Sequence, residues 1–250
     1  DGGGGLNTLD YAADTLGVTV DLTAGAATGT AGILNVGAVV GGTGSDTLIG
    51  PASSNTWTIT DTDTGTVNSV SFRGIESLVG GAESDTFVFG PSGKITGRIS
   101  GGDSGDVLVA SDSPNAWTIT DPDAGTLNGV AFSGIETAQG GADEDVFVVT
   151  IAGLLAGGLL GGPGPDRLRG ADQRNVWRVT SRNAGKLNQQ GFSGVESLTG
   201  GSGDDEFVFE EGGTTDLIDG GAASNSLDFS AYPISVTVNL SSASATGVGG

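Results

Sequence analysis

Apolar and polar positions alternate along this chain in short runs, and the runs recur. In Trp57-Thr58-Ile59-Thr60 the apolar residues alternate with threonines. An extended strand of that pattern turns Trp57 and Ile59 inward and the threonines outward. Further β-rich runs at Thr86–Phe89, Val107–Val109, Val146–Val149 and Glu206–Phe209 are bounded by Gly, Asp, Asn and Ser. They predict short strands separated by tight turns. No segment has a helical period. Ile151–Leu160 is apolar and rich in Gly and Leu, but its place in the repeat, opposite Pro91–Ser100, assigns it to strand and turn.

The runs belong to a longer period. Asn55-Thr56-Trp57-Thr58-Ile59-Thr60 returns as Asn115-Ala116-Trp117-Thr118-Ile119-Thr120 and again as Asn175-Val176-Trp177-Arg178-Val179-Thr180, 60 residues apart each time. Gly65, Asn68, Phe72 and Glu76 recur with the same period. The repeats span 55–114, 115–174 and 175–233, with partial related units at 1–54 and 220–250, and they predict one continuous domain over 1–250. The ends also match each other. Asn7-Thr8-Leu9-Asp10-Tyr11 and Val18-Thr19-Val20-Asp21-Leu22 return 218 positions later as Asn225-Ser226-Leu227-Asp228-Phe229 and Val236-Thr237-Val238-Asn239-Leu240. The sequence reads as an excerpt of a longer repeat array.

A shorter pattern runs inside the period. Gly41-Gly42-Thr43-Gly44-Ser45-Asp46-Thr47-Leu48-Ile49 fits the nonapeptide G-G-x-G-x-D-x-U-x, where U is a large apolar residue. Six-residue heads of this kind also begin at Gly161 and Gly200, and degenerate ones at Gly2, Gly80, Gly101, Gly140 and Gly220. Successive heads are 39, 39, 21, 39, 21, 39 and 20 residues apart. With about 20 residues per coil, 21 is one coil, 39 is two, and the 60-residue unit is three. The fold class this predicts is all-β: a right-handed parallel β-solenoid of roughly a dozen coils.

Composition narrows the function. Glycine supplies 48 of 250 residues, and there is no Cys, Met or His. Disulfides and thiolate metal sites are excluded, and zinc with them. The net charge of −21 argues against nucleic acid and anionic membranes as partners. No apolar run is long enough to cross a membrane. Dense carboxylates suit a hard cation such as calcium.

The glycine–aspartate nonapeptides resemble the RTX, or haemolysin-type, calcium-binding repeats. Longer phrases such as Gly74-Ile75-Glu76-Ser77-Leu78-Val79-Gly80-Gly81 look like repeats of very large bacterial secreted or surface proteins. The resemblance implies Ca2+ held between stacked loops, with Asp46, Asp85, Asp106, Asp145, Asp166 and Asp205 as ligands. It also implies an extracellular, adhesin-like setting. The chain departs from the pattern where the fourth glycine is Glu83, Ser104, Asp143 or Ala223, and where the aspartate is Asn7 or Asn225. An alternative stands beside the calcium reading. Asp and Asn cap their own turns by accepting backbone N–H groups, and these aspartates serve equally well as turn residues.

Trp57, Trp117 and Trp177 read as core rather than as a sugar platform, because they alternate with Ile or Val. Glu76, Glu136 and Glu196 read as solvated strand positions. The single basic region, Arg167, Arg169, Arg174, Arg178, Arg182 and Lys186, holds one acid, Asp172. It predicts an interaction patch for the acidic flank of a neighbouring rod or an anionic polysaccharide. The functional expectation is a structural or adhesive rod segment, not an enzyme, self-associating end to end or laterally. A glycan- or surface-binding module and a calcium-triggered folding and secretion module are the alternatives.

Overall fold

The computed structural model describes residues 3–239 and 244–248. Every regular element among them is a β-strand, and no helix occurs among the described residues. The chain forms two compact units: residues 1–112 with 129–136, and residues 113–128 with 137–250.

In the first unit the chain passes back and forth between two sheets. One runs in the order Asn7–Asp10, Val36–Val40, Val70–Arg73, Thr64–Val67, Thr56–Asp61, Thr86–Phe89, Val107–Val109. The other runs Ala26–Ala27, Thr19–Asp21, Thr47–Ile49, Ser77–Gly81, Arg98–Gly102, Val130–Ser133. Strands that follow one another around the two sheets pair in parallel, in register. Leu48 lies opposite Val20 and Leu78, Leu78 opposite Ile99, and Ile99 opposite Phe132. A one-residue slip would turn each row outward, so the alternation of apolar residues fixes the register.

The second unit repeats the plan. Thr137–Gln139, Gly158–Leu160, Gln190–Ser193, Ala184–Leu187, Val176–Ser181, Glu206–Phe209 and Ser226–Asp228 form one sheet. Ala124–Leu127, Asn115–Asp121, Asp145–Val149, Arg167–Arg169, Ser197–Thr199 and Leu217–Asp219 form the other. The predicted strands fall where the alternation put them, and Ile151–Leu160 is turn followed by strand.

The 60-residue unit is not three coils. The first and third repeats open on an antiparallel meander, Thr56–Asp61, Thr64–Val67 and Val70–Arg73 in the first copy. Two tight turns make it, and Asp63 (φ 50°) and Asn68 (φ 48°) sit in the left-handed region at those turns, which Asp and Asn tolerate better than most residues. The meander is followed by four single strands, so a repeat fills five strand positions, or two and a half circuits. The spacing of 21 residues is one circuit, as between Thr86–Phe89 and Val107–Val109. The spacing of 39 is one and a half, because Thr47–Ile49 and Thr86–Phe89 lie in different sheets. In the second unit, accordingly, Trp117 and Trp177 stand on opposite sheets.

The core is thin and laminar. Trp57, Trp117 and Trp177 are fully buried. Each stacks on the Phe directly opposite: Phe87 at 5.4 Å, Phe147 at 5.7 Å and Phe207 at 5.5 Å between ring centres. Phe72 meets Trp57 edge-on at 6.1 Å. Gly65 makes room for it, since a Cβ there would lie 2.9 Å from the Phe72 ring and 2.1 Å from the Thr58 carbonyl oxygen. Such rows place large rings at offset-stacked distances, adding to simple burial.

Candidate functional site

The six aspartates singled out by sequence share one environment. Asp46, Asp85, Asp106, Asp145, Asp166 and Asp205 are all buried at the turns that lead into strands. Each gives Oδ1 to a group on the preceding circuit. Asp46 accepts from Val18 N–H at 2.8 Å, and Asp85 from Asn55 N–H and Nδ2 at 2.7 Å. Asp106 accepts from Asp85 N–H at 2.7 Å, and Asp166 from Asp145 N–H at 2.8 Å. Asp145 accepts from Asn115 Nδ2 at 2.6 Å, and Asp205 from Asn175 N–H and Nδ2 at 2.8 Å. The aspartates thus tie successive circuits together through their side chains.

The glutamates and asparagines of the period complete these ladders. Glu76, Glu136 and Glu196 are not solvated strand positions. They are half-buried just before their strands, and their Oε2 atoms accept the N–H groups of Asp46, Asp106 and Asp166 at 2.7, 2.6 and 2.8 Å. Asn225 does the same for Asp205 N–H at 2.9 Å. Unbroken series result: Asn55, Asp85, Asp106, Glu136 in the first unit, and Asn115, Asp145, Asp166, Glu196 in the second. A thirty-residue spacing separates Asp46 from Glu76, Asp106 from Glu136 and Asp166 from Glu196. It also separates Asn55, Asn115 and Asn175 from Asp85, Asp145 and Asp205. That spacing, the length of a circuit with a meander, was the signal for these partners.

The second carboxylate oxygens divide the set. Asp46 Oδ2 accepts from Gly42 N–H at 2.6 Å and Asp145 Oδ2 from Gly141 N–H at 2.7 Å. Oδ2 of Asp85, Asp106, Asp166 and Asp205 is buried without a hydrogen-bond partner. The backbone correlates with this split. The second glycine of the head has positive φ in all four orphaned turns (Gly81, Gly102, Gly162, Gly201), whereas Gly42 and Gly141 do not. Where that residue is left-handed, its N–H does not serve the carboxylate of its own turn. Burial, above all, raises Asp85, Asp106 and Asp166, Asp106 to about 6 and Asp166 to about 7, the last two further raised by neighbouring glutamate and aspartate, and it raises Asp145 as well. Glu76 is also raised, mainly by burial.

The first glycine of each head is required by close approach. A Cβ on Gly161 would lie 1.8 Å from the Gly194 carbonyl oxygen and 2.5 Å from Asp166 Oδ2. The same holds at Gly41, Gly80, Gly101, Gly140 and Gly200, where the carboxylate is 2.2–2.5 Å away. Calcium takes six to eight oxygens. The turns offer one free carboxylate oxygen each in four cases, and among the described residues no group of three acidic side chains is arranged to hold a metal ion.

The basic region is divided by the fold. Arg167 and Arg169 stand on one sheet of the second unit, Arg178 and Lys186 opposite each other on the other sheet. Arg169 pairs with Asp172 at 2.7 Å, Arg174 with Glu206 at 3.1 Å, Arg178 with Glu210 at 3.4 Å and Arg167 with Glu144 at 3.9 Å. Arg182 lies at the tip of its meander. The six residues therefore do not face one partner together. Comparison with protein-family models, curated proteins and solved structures finds no match to this chain.

Proposed function

We propose that the chain is a rigid rod segment of a β-solenoid in a large extracellular bacterial protein, right-handed by the crossover rule, and that its role is structural or adhesive. One observation carries this reading. The polar residues that looked like candidate chemistry, the aspartates, asparagines and glutamates of the period, are spent on tying one circuit to the next. In-register parallel pairing with buried polar ladders makes a stiff array in which each circuit depends on its neighbours. Electron microscopy of concentrated protein tests it. Straight rods joined into fibres or sheets are expected, and isolated particles at every concentration would overturn the assembling role.

A second reading, calcium as a structural ion, is favoured by the four orphaned Oδ2 atoms, which a cation would satisfy. An ion that binds the folded state preferentially raises the melting temperature in proportion to ln(1 + [L]/Kd). A rise in millimolar calcium that chelator reverses is the expected result. An unchanged melting temperature leaves the aspartates as inter-circuit caps alone.

A further inference from the structure

Three asparagines stand at the same turn in successive repeats and are held alike. Asn68, Asn128 and Asn188 all have left-handed backbones, at φ 48°, 50° and 53°. Each accepts with Oδ1 a backbone N–H twelve residues back: Thr56 at 3.0 Å, Ala116 at 2.9 Å and Val176 at 2.9 Å. Each donates from Nδ2 to the asparagine thirteen residues back: Asn55 Oδ1 at 2.8 Å, Asn115 Oδ1 at 2.9 Å and Asn175 Oδ1 at 3.1 Å. The residue that follows is what differs. It is Ser69, Gly129 or Gln189, and 128–129 is the one Asn-Gly pair in the sequence. Asn128 and Gly129 are both exposed. Gly129 is left-handed as well, at φ 83°, whereas Ser69 and Gln189 are not. A Cβ on Gly129 would meet nothing within 4 Å among the described residues.

The missing side chain matters because the amide nitrogen of the following residue is the nucleophile nearest to an asparagine Cγ. A side chain on that residue shields the nitrogen and restricts the rotation that brings it onto Cγ, and glycine does neither. The Ala116 N–H on Asn128 Oδ1 draws charge from Cγ and stands where the oxyanion of the adduct would form. An exposed turn with few apolar contacts opens locally at little cost.

We propose that Asn128 is a self-modification site, converting to aspartate and isoaspartate through a cyclic imide with Gly129. Gly129 N bonds to Asn128 Cγ, the Cγ–Nδ2 bond breaks, and Nδ2 leaves as ammonia with the proton from Gly129 N. Water then opens the imide. Attack at Cγ leaves aspartate in the original main chain. Attack at the main-chain carbonyl leaves isoaspartate, with the chain running through Cβ and Cγ. Nothing is oxidised or reduced.

The site is wired to the polar ladder of the second unit. Asn128 Nδ2 donates to Asn115 Oδ1, and Asn115 Nδ2 donates to Asp145 Oδ1 at 2.6 Å. A carboxylate at 128 faces Asn115 Oδ1 with an acceptor and a charge. Turning the Asn115 amide over would set its oxygen against Asp145 Oδ1, acceptor against acceptor. Either orientation breaks one bond of the series. Isoaspartate also adds one carbon to the main chain at a two-residue turn. The modification therefore loosens the tie between circuits as well as the turn itself.

Peptide mapping by mass spectrometry of the purified chain, held in mildly alkaline buffer, tests the site. The mass gained when an amide becomes an acid is expected at 128 many-fold ahead of 68 and 188, with part of the product accepting a methyl group from an isoaspartyl methyltransferase. Gly129→Ser, which supplies the residue that follows Asn68, is expected to suppress it. The aged parent and an unaged Asn128→Asp chain are both expected to melt several degrees below the fresh parent. Equal modification at 68, 128 and 188, or none at 128, overturns the site. Aged protein that carries the modification and melts with the fresh chain overturns its link to the ladder.

Discussion

Asp145 and Asp166 occupy the same place in consecutive circuits of the second unit, 21 residues apart, and both are fully buried. Yet Asp145 has both oxygens satisfied, by Asn115 Nδ2 and Gly141 N–H, whereas Asp166 has one bonded to Asp145 N–H and one orphaned. The difference lies in one backbone torsion, since Gly162 is at φ 107° and Gly141 is not left-handed. Two identical residues in identical positions thus bind their charge differently. Burial raises the pKa of both, Asp145 against donors to both of its oxygens and Asp166, to about 7, with one oxygen left without a donor.

The largest expected effect comes from breaking the satisfied member. Asp145→Ala removes one acceptor of the Asn115 Nδ2 group and the acceptor of Gly141 N–H in the interior. Leaving buried donors unpaired costs about 1–3 kcal/mol each, so a loss of roughly 3 kcal/mol is expected. The melting temperature should fall by about 6–12 °C, and calorimetry reads it directly. Asp166→Asn should act in the opposite direction. An amide keeps an oxygen for Asp145 N–H and removes the charge, an arrangement already present where Asn225 Oδ1 accepts Asp205 N–H and its Nδ2 donates to the Ala222 carbonyl. At pH 8 a gain on the order of 1 kcal/mol is expected, about 2–4 °C. A loss would show that the orphaned oxygen has a donor or ion in solution.

The pH dependence sharpens the same contrast. Asp166 is raised from 3.8 unfolded to about 7 folded, so the folded chain binds its proton more tightly. Its contribution is therefore greatest below pH 3.8 and is lost as pH rises towards 7. The melting-temperature difference between Asp166→Asn and the parent should be smallest near pH 4 and should widen up to about pH 7. A difference independent of pH would mean that Asp166 is charged throughout.

The strands were legible because alternation is a local property. Trp57 and Ile59 point inward as their spacing required, and Thr86–Phe89 and Val107–Val109 fall on their predicted bounds. The meander was less visible. Asp61-Thr62-Asp63-Thr64-Gly65 is a turn, but nothing in a turn sequence says whether the next strand continues around the circuit or doubles back. Counting 60 residues as three coils followed from that. The aspartates were found as a set, but their partners lie a full circuit away at Asn55, Glu136 or Glu196, and only a count of thirty residues would have joined them. The orphaning of Asp166 but not Asp145 was beyond reach, because both heads begin Gly-Gly and differ in a torsion that the pair of glycines leaves free.

Five strand positions per repeat is an odd number, and parity has a consequence for how such an array changes. Within the second unit one repeat hands the chain to the next on the opposite sheet, so an array continuing in that way would return a given position to the same side only after two repeats, 120 residues. A recombination event that inserts or deletes one repeat would leave every junction intact and every strand paired. It would also carry the meanders, tips and charges of everything downstream to the other face. Lengthening by pairs preserves what a surface displays, whereas lengthening by one inverts it.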